Sequence, residues 1–520
     1  MAWSDGYFTG LNYTHGYYPE MNPGILRLAC LCNAVELRLP EAPTYLELGF
    51  GHGVSINMHA ATSEGSFWGN DFNPAQALEA QILAEVSGAD LRLSEESFAE
   101  FASRTDLPQF DIIALHGIWS WVSDENRKII TDIIRRKLRP GGVAYISWNC
   151  LPGWAPIVPM RQLMSLYNDH GGGEMSKPAE MVDGAVQFVD EIAKAGSFFF
   201  RDNPFAKRHL EDMSTLGRNY IAHEYMNADW HLQQFSDMVR GLDDAKLTYV
   251  GSARLLDGID AFQLEDDAIK LISRIGHPVM RETVRDYMMN RRFRTDIFIK
   301  GARMLSSVEH RDAWNAQAFV LTTSVMDIPR KIPCGRGEIE LPAEKYDRIV
   351  QALADDNCKP KRIEDILQEK ALRKLGFQDV MNLLTVLTGA GFVVPAKAPS
   401  EITRRQCRKL NAHVLERSLI NANLRYMASP ISGGGIAVPQ MTQWFIRGLA
   451  SGESSAQALA DSVWGILDGA GEGLTKHGRK IEDKEENMRE IRSAAIKFLR
   501  HERPLFEALE LIAPHDHEPR

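Results

Sequence analysis

The chain has 520 residues, 44% hydrophobic and 25% charged, with a formal net charge of −10. These are globular values, and the length suits several domains of about 150 residues each. The acidic balance argues against general nucleic-acid binding, which needs clustered Lys and Arg, and no apolar run reaches the roughly 20 residues that cross a bilayer. No charged and apolar leader opens the chain. Six cysteines without paired zinc spacing read as reduced thiols. The expectation is a cytoplasmic protein with no membrane span, no nucleic-acid partner and no metal.

The first 24 residues are rich in Tyr, Gly and Asn. Tyr13, His15, Tyr17 and Tyr18 either cover a ligand or form an aromatic strap packed on the next domain. A helix over Ile25 to Leu39 then leads into the most informative stretch of the chain.

Tyr45 to Leu48 reads as a short buried strand that runs into Gly49-Phe50-Gly51-His52-Gly53. Val54 to Thr62 is compatible with a helix, and Ser66 to Gly69 with a second strand ending at Asn70-Asp71. Glycines let the backbone turn tightly and a ligand approach closely. The following helix offers free N–H groups at its start. An acid at the tip of the second strand, about 20 residues beyond the loop, can accept from both hydroxyls of a ribose. Asp71 holds that place, with Phe72 beside it. The unit therefore predicts an adenosine-containing ligand. The glycines fall as G-x-G-x-G, which is neither the dinucleotide loop nor a P-loop. Glu47, just before the loop, sits badly beside a pyrophosphate. It suits an ammonium or a cationic sulfur, and S-adenosylmethionine carries both.

A third strand is expected over Ala89 to Leu93, followed by Glu96 and Ser97, an acid and a hydroxyl placed for an adenine edge. Phe110 to Leu115 reads as a fourth strand ending at His116-Gly117. The next helix has Ile129, Ile130, Ile133, Ile134 and Leu138 at helical spacing. Leu138-Arg139-Pro140-Gly141-Gly142 then precedes a strand over Val143 to Ser147.

A helix ending in L-[KR]-P-G-G before an apolar strand, behind the glycine loop and the ribose acid, resembles the class I S-adenosylmethionine-dependent methyltransferases. GNDFNPAQA, HGIWSWVSDENR and SWNCLPGW, with a second signature from Ala222 to Trp230, resemble the members that carry a methyltransferase regulatory domain. That group includes lysine methyltransferases acting on bacterial outer-membrane proteins. The resemblance implies a Rossmann-like α/β sheet, S-adenosylmethionine as cofactor and a protein acceptor. Its cofactor contacts would be Tyr13, Tyr18, Glu47, Gly49, Gly51, Gly53, Asp71, Phe72, Glu96, Ser97 and His116.

Ligands of open α/β sheets bind beyond the carboxyl ends of the strands. That puts His116, Trp119 and Trp121 after the fourth strand, and Trp148, Asn149 and Trp154 after the fifth. His116, Trp119, Trp121 and Asn149 are the candidate catalytic residues. An aromatic wall attracts a cation such as lysine, and packing of a second domain is the other use of these tryptophans. The Asn/Asp-Pro-Pro-Tyr motif of many adenine and glutamine N-methyltransferases is absent.

The expected organisation is a methyltransferase domain over 1–165, a regulatory cover over 166–310, a winged-helix-like module over 336–398 and a helical domain over 399–520, with a homodimer left open. His223 and Glu224 read as structural. The basic run from Arg281 to Ala302 reads as a solvated face, with acceptor or subunit contact as the alternative. Ser432 to Gly435 reads as a break between helices, and the tail HDHEPR as disordered. Two functions compete: methyl transfer to a protein, lysine favoured, or to a small molecule or glycan; and a non-catalytic S-adenosylmethionine-binding assembly module.

Overall fold

The computed structural model describes residues 6–7, 14–171, 178–213, 215–369, 372, 375–476 and 478–513. Tyr13, Gly172, Gly173 and the HDHEPR tail lie outside them.

A seven-stranded sheet organises the fold, and its first five strands fall where the sequence places them. Its strands are β1 (Thr44–Leu48), β2 (Ser66–Asn70), β3 (Leu91–Ser94), β4 (Phe110–Leu115), β5 (Leu138–Asn149), β6 (Leu247–Ser252) and β7 (Phe293–Lys300), in the spatial order β3-β2-β1-β4-β5-β7-β6. β7 runs antiparallel to both its neighbours, and the other pairings are parallel. β4 is buried at every position, as a central strand covered on both faces must be. The sheet crosses the expected boundary at 165/166, because its last two strands come from the regulatory segment.

Helices α1 (Pro23–Cys32), α2 (Val54–Ala61), α3 (Pro74–Ser87), α4 (Phe98–Ser103) and α5 (Asp124–Lys137) flank the sheet. Their ends follow from local chemistry. Asn73 caps α3 by accepting the Ala75 N–H at 3.1 Å, and Gly88 ends that helix in the left-handed region at φ +68°. Ser123 caps α5, whose Ile130, Ile133 and Ile134 face the core.

The two faces of the sheet bury different clusters. One holds Leu46, Ile113, Trp119, Ile133, Trp148 and Phe235. The other continues from Tyr45, Ile56 and Tyr145 into Phe319, Leu384, Leu410, Met427 and Phe445 of the C-terminal half. The C-terminal half thus shares a core with the sheet. It begins with a three-stranded sheet, Lys361–Arg362 beside Ala318–Leu321 beside Val393–Ala396, accompanied by helices Ala343–Ala354, Ile363–Gln368 and Phe377–Gly389. Its middle strand precedes residue 336. Helix Glu401–Arg417 follows, and then a hairpin, Tyr426–Ser429 with Gly434–Ala437. The break read at Ser432 to Gly435 is the turn and second strand of that hairpin. Helices between Val158 and Tyr225 form a smaller unit around Trp154, Met160, Val189, Phe200 and Tyr225.

The basic run departs from a solvated face. Arg294 is fully buried on β7, bonded to Asp286 at 2.6 Å, Asp296 at 2.9 Å and Glu282 at 3.2 Å. Asp296 also accepts from the Trp148 indole at 3.0 Å. Arg291 is buried beside the same Asp286. Arg294 lies on a stretch of β7 that is buried on both faces, where three carboxylates offset the desolvation of its guanidinium.

Candidate functional site

A cavity lies at the carboxyl ends of β1, β2 and β4. Its floor is the glycine loop. Gly49, Gly51 and Gly53 have φ of +72°, +59° and +67°, a region where side chains are strained. A Cβ on Gly49 would fall 2.2 Å from Ile118 Cδ1, across the cavity wall. Gly53 does not line the cavity. It starts α2, and a Cβ there would fall 2.4 Å from the Ala80 Cβ of α3, so this glycine serves helix packing.

Two carboxylates flank the loop. Glu47 is 3% exposed, and its Oε2 has no hydrogen-bond partner. Burial pushes its carboxyl well above the ordinary range, and the nearby Asp71 adds to the effect. A buried acid left without a donor is a site prepared for a cation. Asp71 accepts the Gly51 N–H at Oδ2 (2.8 Å) and the Asn73 N–H at Oδ1 (2.9 Å). Burial raises it to about 6 against those two bonds. It therefore fixes the loop as well as facing the cavity.

Beyond β2 the cavity is bounded by Phe72 and Tyr7, whose rings meet edge to face at 5.8 Å. Asn70 Oδ1 accepts from the Ser94 hydroxyl at 3.0 Å and the Glu96 N–H at 3.3 Å, tying the tip of β2 to the segment after β3. Glu96 and Ser97 line this end together with Phe98. The Ser97 hydroxyl donates to Glu100 at 2.8 Å and accepts the Glu100 N–H at 3.3 Å, a capping box that starts α4. That leaves Glu96 and backbone groups for a polar edge here. The S-x-x-E spacing announces this box in the sequence.

At the β4 end, His116 and Tyr145 Oη are hydrogen-bonded at 2.8 Å, and the His116 ring stacks on Tyr18 at 3.7 Å. Burial pushes His116 down to about 4, so its imidazole is neutral at physiological pH. Trp121 lines the cavity and stacks on Trp230 of the regulatory segment at 6.1 Å. Trp119 and Asn149 do not reach it. Trp119 is 2% exposed and donates its indole N–H to Gln233 at 2.8 Å. Asn149 is buried at the end of β5, where its N–H donates to the Ser120 hydroxyl at 2.8 Å. Trp119 ties the turn after β4 to the segment around residue 233, and Asn149 ties the end of β5 to that same turn.

Of the residues expected to contact cofactor, Tyr18, Glu47, Gly49, Gly51, Asp71, Phe72, Glu96, Ser97 and His116 surround this one space. Tyr13 lies outside the described residues. Tyr7, Asn70, Gln76, Ile118 and Asn126 also line it and carried no sequence signal of their own. His223 lies 5.5 Å from the Tyr7 ring, and burial raises Glu224 to about 7, so this helix of the regulatory segment abuts the cavity wall.

His15, His52 and Glu79 cluster at the edge of the loop. His15 Nε2 and His52 Nδ1 meet the two Glu79 oxygens at 3.0 and 2.7 Å, with the imidazoles stacked at 4.0 Å. The set could ligate a divalent cation, but Arg417 already bonds Glu79 Oε1 at 3.0 Å. A guanidinium on the same oxygen opposes a metal and makes the cluster an ion-paired contact.

Residues 217–300 match the family described as a predicted methyltransferase regulatory domain. The Synechocystis protein sll1526 is 34% identical over 519 residues, covering 98% of this chain and 99% of that protein. The Rickettsia prowazekii protein RP789 is 22% identical over 522 residues, 92% of this chain and 89% of that protein. The chain belongs to the class I S-adenosylmethionine-dependent methyltransferases that carry a regulatory domain. The methyltransferase fold extends along its whole length: PKMT2 from Rickettsia typhi, in complex with AdoHcy, superposes with a TM-score of 0.68 at 18% identity, covering 94% of this chain and 98% of that one. A second PKMT2 structure gives 0.65 over the same shares. The methyltransferase's cofactor is S-adenosylmethionine, and the cavity fits it. The unpartnered Glu47 suits its ammonium and sulfonium charges, the glycine loop leaves room for close approach, and the Asp71 carboxylate at the cavity suits the hydroxyls of a ribose.

No helix of the described residues is long and apolar enough to cross a membrane.

Proposed function

We propose that this methyltransferase acts on a protein, with a lysine side chain as acceptor. The observation that carries the reading is the wall formed by Tyr18, His116 and Trp121 at the β4 end of the cavity. It is aromatic, and its one titratable ring is held neutral by burial. Faces of Tyr and Trp attract an ammonium. Their low-dielectric surroundings also favour its neutral, nucleophilic form. The bound cofactor supplies a methyl group on a cationic sulfur. The chain's part is to align the acceptor nitrogen in line with that group and to exclude water, and positioning can lower the barrier by several kcal/mol, up to about 10.

The rest of the reading follows from this site. Glu47, Gly49, Gly51, Asp71, Phe72 and Glu96 hold the cofactor, while Tyr18 closes over it. The regulatory segment covers the acceptor side through the Trp121–Trp230 stack. A cytoplasmic location agrees with the six free cysteines. The resemblance to lysine methyltransferases in the GNDFNPAQA and HGIWSWVSDENR stretches supports a protein acceptor.

The test is transfer from methyl-labelled cofactor to a protein extract, with the modified residue located by mass spectrometry. Label on lysine is expected. Label confined to small molecules or glycans would overturn the acceptor class. Tight cofactor binding with no label on any fraction would favour the assembly-module reading.

A further inference from the structure

Residues 14–18 run as an extended strap along one wall of the cavity, and their side chains alternate. Thr14, Gly16 and Tyr18 line the cavity. His15 and Tyr17 do not line it and meet other neighbours. His15 meets Glu79, which Arg417 grips from the end of helix Glu401–Arg417. Tyr17 is 6% exposed, and its ring lies 5.1 Å from Tyr426 of the C-terminal hairpin. The hairpin glycines explain how close this approach is. A Cβ on Gly434 would fall 2.3 Å from the Tyr17 hydroxyl, and one on Gly435 would fall 3.2 Å from its ring. Just past the strap, the Asn22 amide donates to the Ser432 carbonyl at 3.3 Å.

We infer that the C-terminal domain completes the cofactor site: Arg417, Tyr426 and the hairpin glycines are positioning residues that hold the strap against S-adenosylmethionine without touching it. The inference rests on reading the cavity as the cofactor site. The strap is also tied to the methyltransferase domain: the Tyr18 N–H donates to Ser55 Oγ at 2.9 Å, and the rings of Tyr18 and His15 stack on those of His116 and His52. Ordering the backbone of a five-residue strap costs conformational entropy, so contacts on its outer side help to hold it down. The C-terminal domain supplies part of those contacts, through Arg417 on Glu79 and Tyr426 against Tyr17; Glu79, His52 and His59 of the methyltransferase domain supply the rest. The cofactor leaves when the strap lifts, so its dissociation rate follows the lifted fraction. This gives the glycine run at Ser432 to Gly435 a role in close packing against Tyr17.

The experiment uses the full-length chain with Arg417→Ala, Tyr426→Ala and the milder Arg417→Lys, and measures cofactor association and dissociation rates with thermal melting. Arg417→Ala and Tyr426→Ala are expected to raise the dissociation rate about 5- to 30-fold, the effect of losing about 1–2 kcal/mol, with association nearly unchanged. Arg417→Lys should keep most of the native value. A double-mutant cycle between Arg417→Ala and His15→Ala should be non-additive, because both act through Glu79. Native dissociation rates in both alanine variants would overturn the inference, as would losses that only track a lowered melting temperature. Asp71→Ala separates the two readings. If it leaves affinity unchanged, the cavity assignment itself fails. If it weakens binding while the Arg417 and Tyr426 variants release cofactor at the native rate, the latch alone fails.

Discussion

The ring of Tyr18 lies almost flat on the ring of His116, with centroids 3.7 Å apart and planes 22° from parallel. This stack joins the strap to the end of β4 and leaves His116 buried and neutral. Burial lowers its pKa to about 4, and lowers that of His59, on α2 beneath the strap, to about 3. Both ring nitrogens of His59 lack a hydrogen-bond partner.

These histidines set an acid sensitivity. Each has a folded pKa below its unfolded value near 6.5, so the unfolded chain takes up protons first. Stability is complete above about 6.5 and falls as pH drops toward 4, at up to about 1.4 kcal/mol per pH unit for each group. His59→Leu removes one of them. Urea unfolding at pH 7.5, 6 and 5 should show a smaller loss for the variant than for the native chain. Equal losses would place the acid sensitivity elsewhere.

Asp71 holds the loop and lines the cavity, and under the proposed reading it also takes the ribose, so Asp71→Ala should remove both contributions. Losing hydrogen bonds to a charged group costs about 2–3 kcal/mol, which corresponds to a roughly 30- to 150-fold weaker affinity. Calorimetry on the folded variant gives the value. With the Asp71 pKa raised to about 6, the native protein should also bind cofactor progressively more weakly as pH falls below 6, because the protonated acid gives up an acceptor.

Burial pushes the Glu47 carboxyl well above the ordinary range, which favours its protonated form in the free protein. A cation arriving beside it favours ionisation, so cofactor binding should release a proton. Calorimetry in two buffers of different ionisation enthalpy should give different apparent binding heats near neutral pH. Glu47→Gln should erase that difference while weakening affinity. Identical heats in both buffers would mean that Glu47 keeps its proton.

Arg294 lies between Asp286, Asp296 and Glu282 with no exposure. Arg294→Met would leave these acids buried without their counter-ion, and breaking one side of a buried pair costs about 3–5 kcal/mol. Chemical denaturation should show that loss, partly recovered by adding Asp296→Asn. A near-native midpoint would mean that water or Arg291 replaces the lost charge.

The central part of the fold was legible because its signals are local. The strand, glycine loop and acid lie within Tyr45 to Asp71, and buried parallel strands read as apolar runs. The candidate site was legible to the same depth, since it forms where those strands end. What the sequence hid was long-range. Arg417 and Glu79 are 338 residues apart in the chain, and no window joins them. Arg291 and Arg294 read as solvated because their acids come partly from a helix, Pro278–Met289, that only the fold brings alongside. Trp119 and Trp121 are two residues apart on one turn, and nothing in their spacing tells which faces the ligand.

That difference makes Trp121 the sharpest probe of the acceptor side. It lines the cavity and stacks on Trp230, which in turn meets Trp154 edge to face at 5.5 Å and lies under the Arg161 guanidinium at 4.9 Å. Trp121→Ala removes one aromatic wall of the acceptor position and none of the groups at the ribose end. The expected result is a transfer rate lowered about 10- to 100-fold, the effect of losing about 1.4–2.7 kcal/mol of positioning, with cofactor affinity within about twofold of native. If Trp121 serves only to fasten the regulatory segment, melting temperature and cofactor affinity should fall together and transfer in proportion. Melting, cofactor affinity and single-turnover transfer measured on the same preparation separate these outcomes. A folded variant with native affinity and native transfer would remove Trp121 from the acceptor site and leave Tyr18 and His116 as its remaining aromatic wall.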